Sequence, residues 1–550
     1  MLRHGRKLDE SRPLHYEAYT YRDRSIDYND EFIDMYSRMY PSVAEIEEEY
    51  FKDGIDRPFL LCEYVHAMGN GPGDIEEYHD YMMSKAEFIG AFVWEWADHA
   101  VNLNRENGGE ALYRYGGDHG EYPQFGNFCM DGLVYPDRTP HTGVLEHRQI
   151  FRKIRLVDSD LDTYSFTFEN RYDFSSSEER EAFEVELFDV EGRVFETVKL
   201  TDVQIPAQGQ GTVQLTLDEA TRAKLGSLRF VYRMVIDGEV QDDELGHDQV
   251  FVKAFETTIK ADDSLAPKAI SVNDTLGAYE VSIGDLQVHF SKRNGAISQI
   301  IKNGEEFLVE PGDWSIWRAP IDNDRNIKNE WVESNYDRAT TRIHRHEYVE
   351  NLQTHVLSFD GVIGSVARQN TLEISIKWFI HQDGSLYLDI EGKKDAVMPF
   401  LPRFGLCLPL KPEFDQVDYY GNGPHESYED KFHASYLGHF AGKVMDFYEP
   451  YITPQENGSH NKVRQLSVAA GDQAVHIVSE DEFSFNVSRF STKQLTEVSH
   501  RDKLVEEEVT YLHLDYKQSG TGSNACGPEL AERYRFNDEQ FHFGLAFHLG

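Results

Sequence analysis

Beyond Leu156 apolar and polar side chains alternate one by one, and this fixes what most of the chain can fold into. Residues 164–168, 182–190 and 228–236 keep the period of two that half-buried antiparallel strands require, one face to a core and one to water. The interruptions are turn pairs: Glu191-Gly192, Asp237-Gly238, Asn294-Gly295 and Asn303-Gly304. The last two are the strongest of the short hairpin signals. A small β-sandwich ending near Phe255 is expected, then a polar linker carrying Pro267, then a large all-β domain. Before Leu156 the pattern differs. Short apolar runs at 13–19, 32–40, 58–63 and 88–96 are separated by longer segments, with 75–88 the plausible helix, as in parallel βα units. The expected organisation is multidomain, α/β followed by all-β: 1–155, 156–256, a linker at 257–272, and 273–550. No internal repeat or low-complexity tract interrupts it.

Composition excludes several roles. The 550 residues carry 54 Lys+Arg against 97 Asp+Glu, a formal net charge of -43. Such a surface repels phosphate backbones and anionic membranes, so nucleic acid and membrane are not the expected partners. The charges are spread along the chain, and aromatics make up 13% of it, which suits a folded β-rich protein with sugar-stacking surfaces. Four cysteines, Cys62, Cys129, Cys407 and Cys526, form neither a disulfide framework nor a metal-ligand spacing. A reducing cytoplasm is the simplest setting. The first residues, MLRHGRKLDESRP, lack an apolar signal-peptide core, and no run approaches the roughly 20 apolar residues of a membrane span.

The candidate chemistry lies before Leu156. In "RPFLLCEYVHAMGN", residues 57–70, an apolar strand closes on Glu63 and is followed by His66 and a glycine-rich loop. An acid at a strand end is commonly structural or solvated. At the C-terminal end of a βα strand it also faces the position where active sites form, as nucleophile or general base. In "GAFVWEWAD", residues 90–98, Trp94 and Trp96 project to one side of a strand and Glu95 to the other. The tryptophans are core residues or a flat face for a sugar ring; alternation turns Glu95 away from whatever they line. The loop "FGNFCMDGLVYPDRTPH", residues 125–141, brings Asp131, either a turn former or a group for a cation or hydroxyl. Tyr40, closing the run at 32–40, packs in a core or donates to a carboxylate. The chain has no dinucleotide fingerprint, phosphate-binding P-loop, zinc-peptidase helix motif or nucleophile elbow.

Together with "YGGDHGEYPQFGNFCMDGLVYPDRTPH", "WRAPIDND", "YYGNGPHESYEDK" and "YEPYITPQENGSHNKVR", these motifs run in one order over nearly the whole chain. In that order they resemble the bacterial β-galactosidases of glycoside hydrolase family 2, and specifically a C-terminal portion of them. The resemblance implies the second half of a (β/α)8 barrel, strands five to eight, then an Ig-like sandwich, then a large β-sandwich of the galactose-mutarotase-like, small-chain type. It implies a retaining β-galactosidase acting on terminal β-galactosides such as lactose, with Glu63 as nucleophile and Tyr40, His66, Trp94 and Asp131 at the sugar. It implies sodium at the Phe128 carbonyl and Asp131, although enterobacterial members have Asn at the latter position. Where those enzymes bring a Trp from the C-terminal domain over the leaving group, this chain has Cys526. The family's acid/base glutamate and its magnesium ligands belong to the N-terminal half and match nothing here. The resemblance therefore also implies a partner carrying that half, and a homo-oligomer. The rival expectation is a non-catalytic carbohydrate-binding or scaffold fragment, or one subunit of a split enzyme.

Overall fold

The computed structural model describes residues 2–17, 33–106, 108–255, 257, 267–351, 354–368 and 370–550. Its first part is a parallel sheet of β1 (Tyr36–Met39), β2 (Phe59–Tyr64) and β3 (Phe88–Val93), with β2 in the middle. Phe59, Leu60 and Leu61 of β2 are buried, as a strand covered on both faces demands. The helix Ile75–Ser84 joins β2 to β3 and sets Ile75, Tyr78 and Met82, one helical face, into a cluster with Phe59, Leu61 and Phe88. The helix Thr142–Ile150 adds Ile150 to that cluster.

The four expected parallel strands become three among the described residues. The run at 13–19 forms no strand over residues 13–17, and 18 and 19 lie outside the described residues. Leu14 pairs with Asp34 instead. Its N–H donates to the Asp34 carboxylate at 2.6 Å, and its carbonyl accepts from the Asp34 N–H at 2.8 Å. A side-chain oxygen has taken the donor a ladder would use, and Pro13 has no donor to offer. The run at 88–96 also ends early, at Val93.

The alternating segments fold as strands, although residues 225–232 are buried on both faces rather than half-buried. Ile154–Asp160, Ser165–Asn170 and Gln210–Gln214 make one antiparallel sheet; Glu181–Asp189, Val194–Leu200, Leu225–Ile236 and Glu239–Phe251 make another. Phe166, Phe168, Phe183, Val185, Phe230 and Tyr232 fill a shared core. Asp237 and Gly238 both take positive φ, 52° and 82°, the geometry a two-residue hairpin turn with the sheet's own twist requires. Asn303-Gly304 does the same at 52° and 81°. The remaining chain forms a five-stranded sheet, Ile270–Asp274 to Glu305–Glu306, and a twelve-stranded antiparallel sheet around a core that includes Trp314, Trp331 and Trp378. The strand Ile270–Asp274 begins inside the expected linker, of which residues 258–266 lie outside the described residues. No helix among the described residues is long and apolar enough to cross a membrane.

The large β-domain packs on the parallel sheet through polar contacts. His433 is held between Glu146 of one helix, Nδ1 to Oε1 at 2.6 Å, and Glu76 of the other, Nε2 to Oε1 at 3.1 Å. Burial works against charge on this ring, but the two carboxylates outweigh it and hold His433 up to about 9. A histidine raised this way stabilises the fold fully below its unfolded value near 6.5, and the contribution disappears as pH rises through about 9. Its full size is at most about 3–4 kcal/mol, from the rise from 6.5 to about 9. Thermal unfolding of His433→Gln should therefore fall below the parent at pH 6 and converge with it above pH 9.5. A constant difference across that window would show that the imidazolium contributes nothing.

Candidate active site

The C-terminal ends of β1, β2 and β3 converge. The Tyr40 N–H, just past β1, donates to the Glu63 carbonyl at 3.0 Å, which locks the two strand ends together. This sets the Tyr40 hydroxyl near enough to the Glu63 carboxylate for each to shift the other. Burial raises the Glu63 carboxyl above its ordinary value; the Tyr40 hydroxyl opposes that, and the negative charge of Glu95 adds to it. Burial and the Glu63 charge in turn push the Tyr40 hydroxyl far up, so it stays protonated with a hydrogen to donate.

His66 is 1% exposed, and burial, reinforced by the positive charge of Arg325, pushes its ring down to about 4. It is a neutral imidazole at physiological pH, with one nitrogen to donate and one to accept. Its ring stacks on Phe128 with centroids 5.3 Å apart, and its Nε2 lies 3.6 Å from Asp131 Oδ2. Asp131 Oδ2 accepts from Trp94 Nε1 at 3.1 Å. Its Oδ1 is buried with no hydrogen-bond partner among the described residues. Burial, with the Glu95 charge adding and the Trp94 bond opposing, pushes the Asp131 carboxyl up to about 6. Trp94, tied at its polar edge, remains 39% exposed. The result is a cluster of a ring face, a neutral imidazole and two carboxylates.

The C-terminal domain completes the rim. Cys526 is exposed and within electrostatic reach of Glu63 and Asp131. Arg325 lies over the Phe128 ring at 4.8 Å and donates to the Ala525 carbonyl at 3.4 Å. Sequence reading gave Arg325 no role, because it stands one residue past the WRAPIDND motif and some two hundred residues from the loop it covers. Glu95 also differs from expectation. Alternation pointed it away, but the strand ends at Val93. Beyond it the Glu95 N–H and carbonyl pair with Asp131 and Leu133 at 2.8 and 2.9 Å. Freed from the pleat, its charge acts on both Glu63 and Asp131.

Residues 1–156 match the model described as glycosyl hydrolases family 2, TIM barrel domain, and residues 282–547 match that described as beta galactosidase small chain. The chain belongs to glycoside hydrolase family 2. A β-galactosidase of Staphylococcus xylosus is 39% identical over 99% of this family 2 chain and 55% of its own length. One of Actinobacillus pleuropneumoniae is 34% identical over 98% of this chain and 53% of its own. The chain thus spans about half the length of the curated relatives it matches, and corresponds to a C-terminal portion of such family 2 sequences. Among solved structures, a galactose 1-epimerase from Lactobacillus acidophilus NCFM aligns over 52% of this chain and 99% of its own at 6% identity, with a TM-score of only 0.28.

Proposed function

We propose that this chain carries the nucleophile side of a retaining β-galactosidase. The observation that carries the reading is Glu63 itself: a half-buried carboxylate at the end of a parallel strand, met by the Tyr40 hydroxyl, with an exposed tryptophan ring and a neutral histidine around it. In this reading Glu63 attacks the anomeric carbon of a terminal β-galactoside. A bond forms from its carboxylate oxygen as the glycosidic bond breaks, and the leaving oxygen takes a proton from the acid/base glutamate of a companion segment. That same group, now a base, removes a proton from water, which displaces Glu63 and releases galactose. Tyr40 favours the ionised nucleophile. His66 and Asp131 receive sugar hydroxyls, and Trp94 stacks on the ring. The residues 156–256 would serve as an Ig-like spacer, and 273–550 as a mutarotase-like small-chain domain that closes the rim.

The donor set suits a sodium ion in one respect. Asp131 offers a buried carboxylate oxygen without a partner, and the Phe128 carbonyl accepts no hydrogen bond among the described residues. Hard oxygen donors of this kind fit a hard cation. Bound there, sodium would supply a further Lewis-acidic contact for a sugar hydroxyl, while Phe128 and Asp131 hold it. For magnesium the fit fails: among the described residues no three His, Cys, Asp or Glu side chains cluster as a metal site.

Trp94 gives the direct test of the sugar platform. Trp94→Ala should weaken galactose binding by about 1–3 kcal/mol, the scale of losing an aromatic face. Trp94→Phe should keep part of that while leaving Asp131 Oδ2 without its donor. If both variants bind galactose like the parent by calorimetry, the ring is packing only and the site is not a galactose site.

A further inference from the structure

The motifs WRAPIDND and YEPYITPQENGSHNKVR contain none of the groups assigned above, yet both reach the site. Gln455 is 2% exposed. Its carboxamide oxygen accepts from the Asn70 backbone N–H at 3.0 Å and from the Asp322 N–H at 3.1 Å. Its NH2 group donates to Asp322 Oδ2 at 2.9 Å and to the Thr453 carbonyl at 2.9 Å. A primary carboxamide has two donor hydrogens and two acceptor lone pairs, and here all four are used. The other oxygen of Asp322 accepts from Asn127 Nδ2 at 2.7 Å.

These bonds connect two separate loops. Asn70 lies four residues after His66 in the loop that leaves β2. Asn127 is next to Phe128 in the loop that carries Asp131. The first loop has no slack against the C-terminal domain: Gly69 has φ +58°, and a Cβ there would sit 2.4 Å from both Asp322 Oδ2 and Gln455 Oε1. Asn70 Nδ2 also donates to the Glu456 carbonyl at 2.8 Å.

We propose that Gln455 and Asp322 are positioning residues that fix the His66 loop against the Asp131 loop. Through them the C-terminal domain sets the cradle whose two polar groups stand 3.6 Å apart. The functional meaning of that cradle rests on the glycosidase reading; the clamp itself does not.

Gln455→Glu removes both donors and sets a carboxylate against the buried Asp322 carboxylate. Asp322→Asn in the same chain returns a donor between them. In the purified chain, hydrogen exchange should quicken about tenfold in residues 66–74 and 125–131 of Gln455→Glu, with the strand Arg403–Leu410 unchanged. In the Asp322→Asn/Gln455→Glu double variant it should slow again. Asn127→Ala, a milder change, should release only 125–131. In the enzyme assembled with its companion half, Gln455→Glu should lower kcat for a nitrophenyl β-galactoside about a hundredfold, as a misplacement of about 1 Å does, and the double variant should regain about tenfold. Parental exchange in both loops of Gln455→Glu, or a loss of kcat that the double variant does not recover, overturns the proposal. If the parent assembly hydrolyses no galactoside, the glycosidase reading fails and the exchange experiment still decides the clamp.

Discussion

Glu63→Gln should reduce galactoside turnover in the assembled enzyme by several orders of magnitude, up to about a millionfold, as removal of a covalent nucleophile does. An amide cannot form the galactosyl ester, while its equal size keeps the local fold. A 2-fluoro-galactoside that traps the covalent intermediate should label Glu63 and not Glu95. The pH profile carries the same signature. Burial raises the Glu63 carboxyl, so the ionised nucleophile is lost as pH falls through that raised value. The acid limb of kcat/KM should therefore lie above the range of an ordinary glutamate. Near-parental turnover in the variant would remove Glu63 from the mechanism.

The second large effect concerns the chain by itself, which should hydrolyse no β-galactoside at a useful rate. Among the described residues β1 and β3 pair only with β2, so each leaves an open strand edge. Ile89, Phe92 and Trp96 on and beyond β3 are 54%, 62% and 60% exposed, a surface that a closed barrel would cover. Open edges recruit other strands, and a backbone group buried without a partner costs about 1–3 kcal/mol. Adding a fragment with the family's N-terminal half, including its acid/base glutamate, should restore hydrolysis by orders of magnitude and reduce proteolysis before Leu156. Galactose binding without turnover in that mixture would favour a non-catalytic carbohydrate-binding role. Robust lactose hydrolysis by the purified chain alone would sink the prediction and direct the search for an internal acid to Glu95 first and Glu17 next. The exposed surface of β3 makes the same point in solution: the isolated chain should self-associate more than the mixture.

Much of this molecule is legible locally. A period of two with turn pairs places the strands after Leu156, because the pleat sends successive side chains to opposite faces and a left-handed Asp-Gly or Asn-Gly pair ends a strand at low cost. An apolar run ending on an acid places Glu63, since water and core select those residues within a few positions of one another. The run at 13–19 shows the limit of that logic: an apolar pattern permits a strand, but the Asp34 carboxylate, twenty residues on, claims the donor of Leu14. Glu95 shows it again, because the pleat governs a side chain only as far as the strand extends. Gln455, Asp322 and Arg325 were beyond reach altogether. Their sequence neighbours say nothing of Asn70, Asn127 or Phe128, and only the packing of the large β-domain on the parallel sheet brings them together. The sequence alone determined which residue types and which strands this chain has. The tertiary structure decided which of them share a site, because hydrogen-bond satisfaction across hundreds of residues depends on how whole domains pack and leaves no periodic trace in the chain.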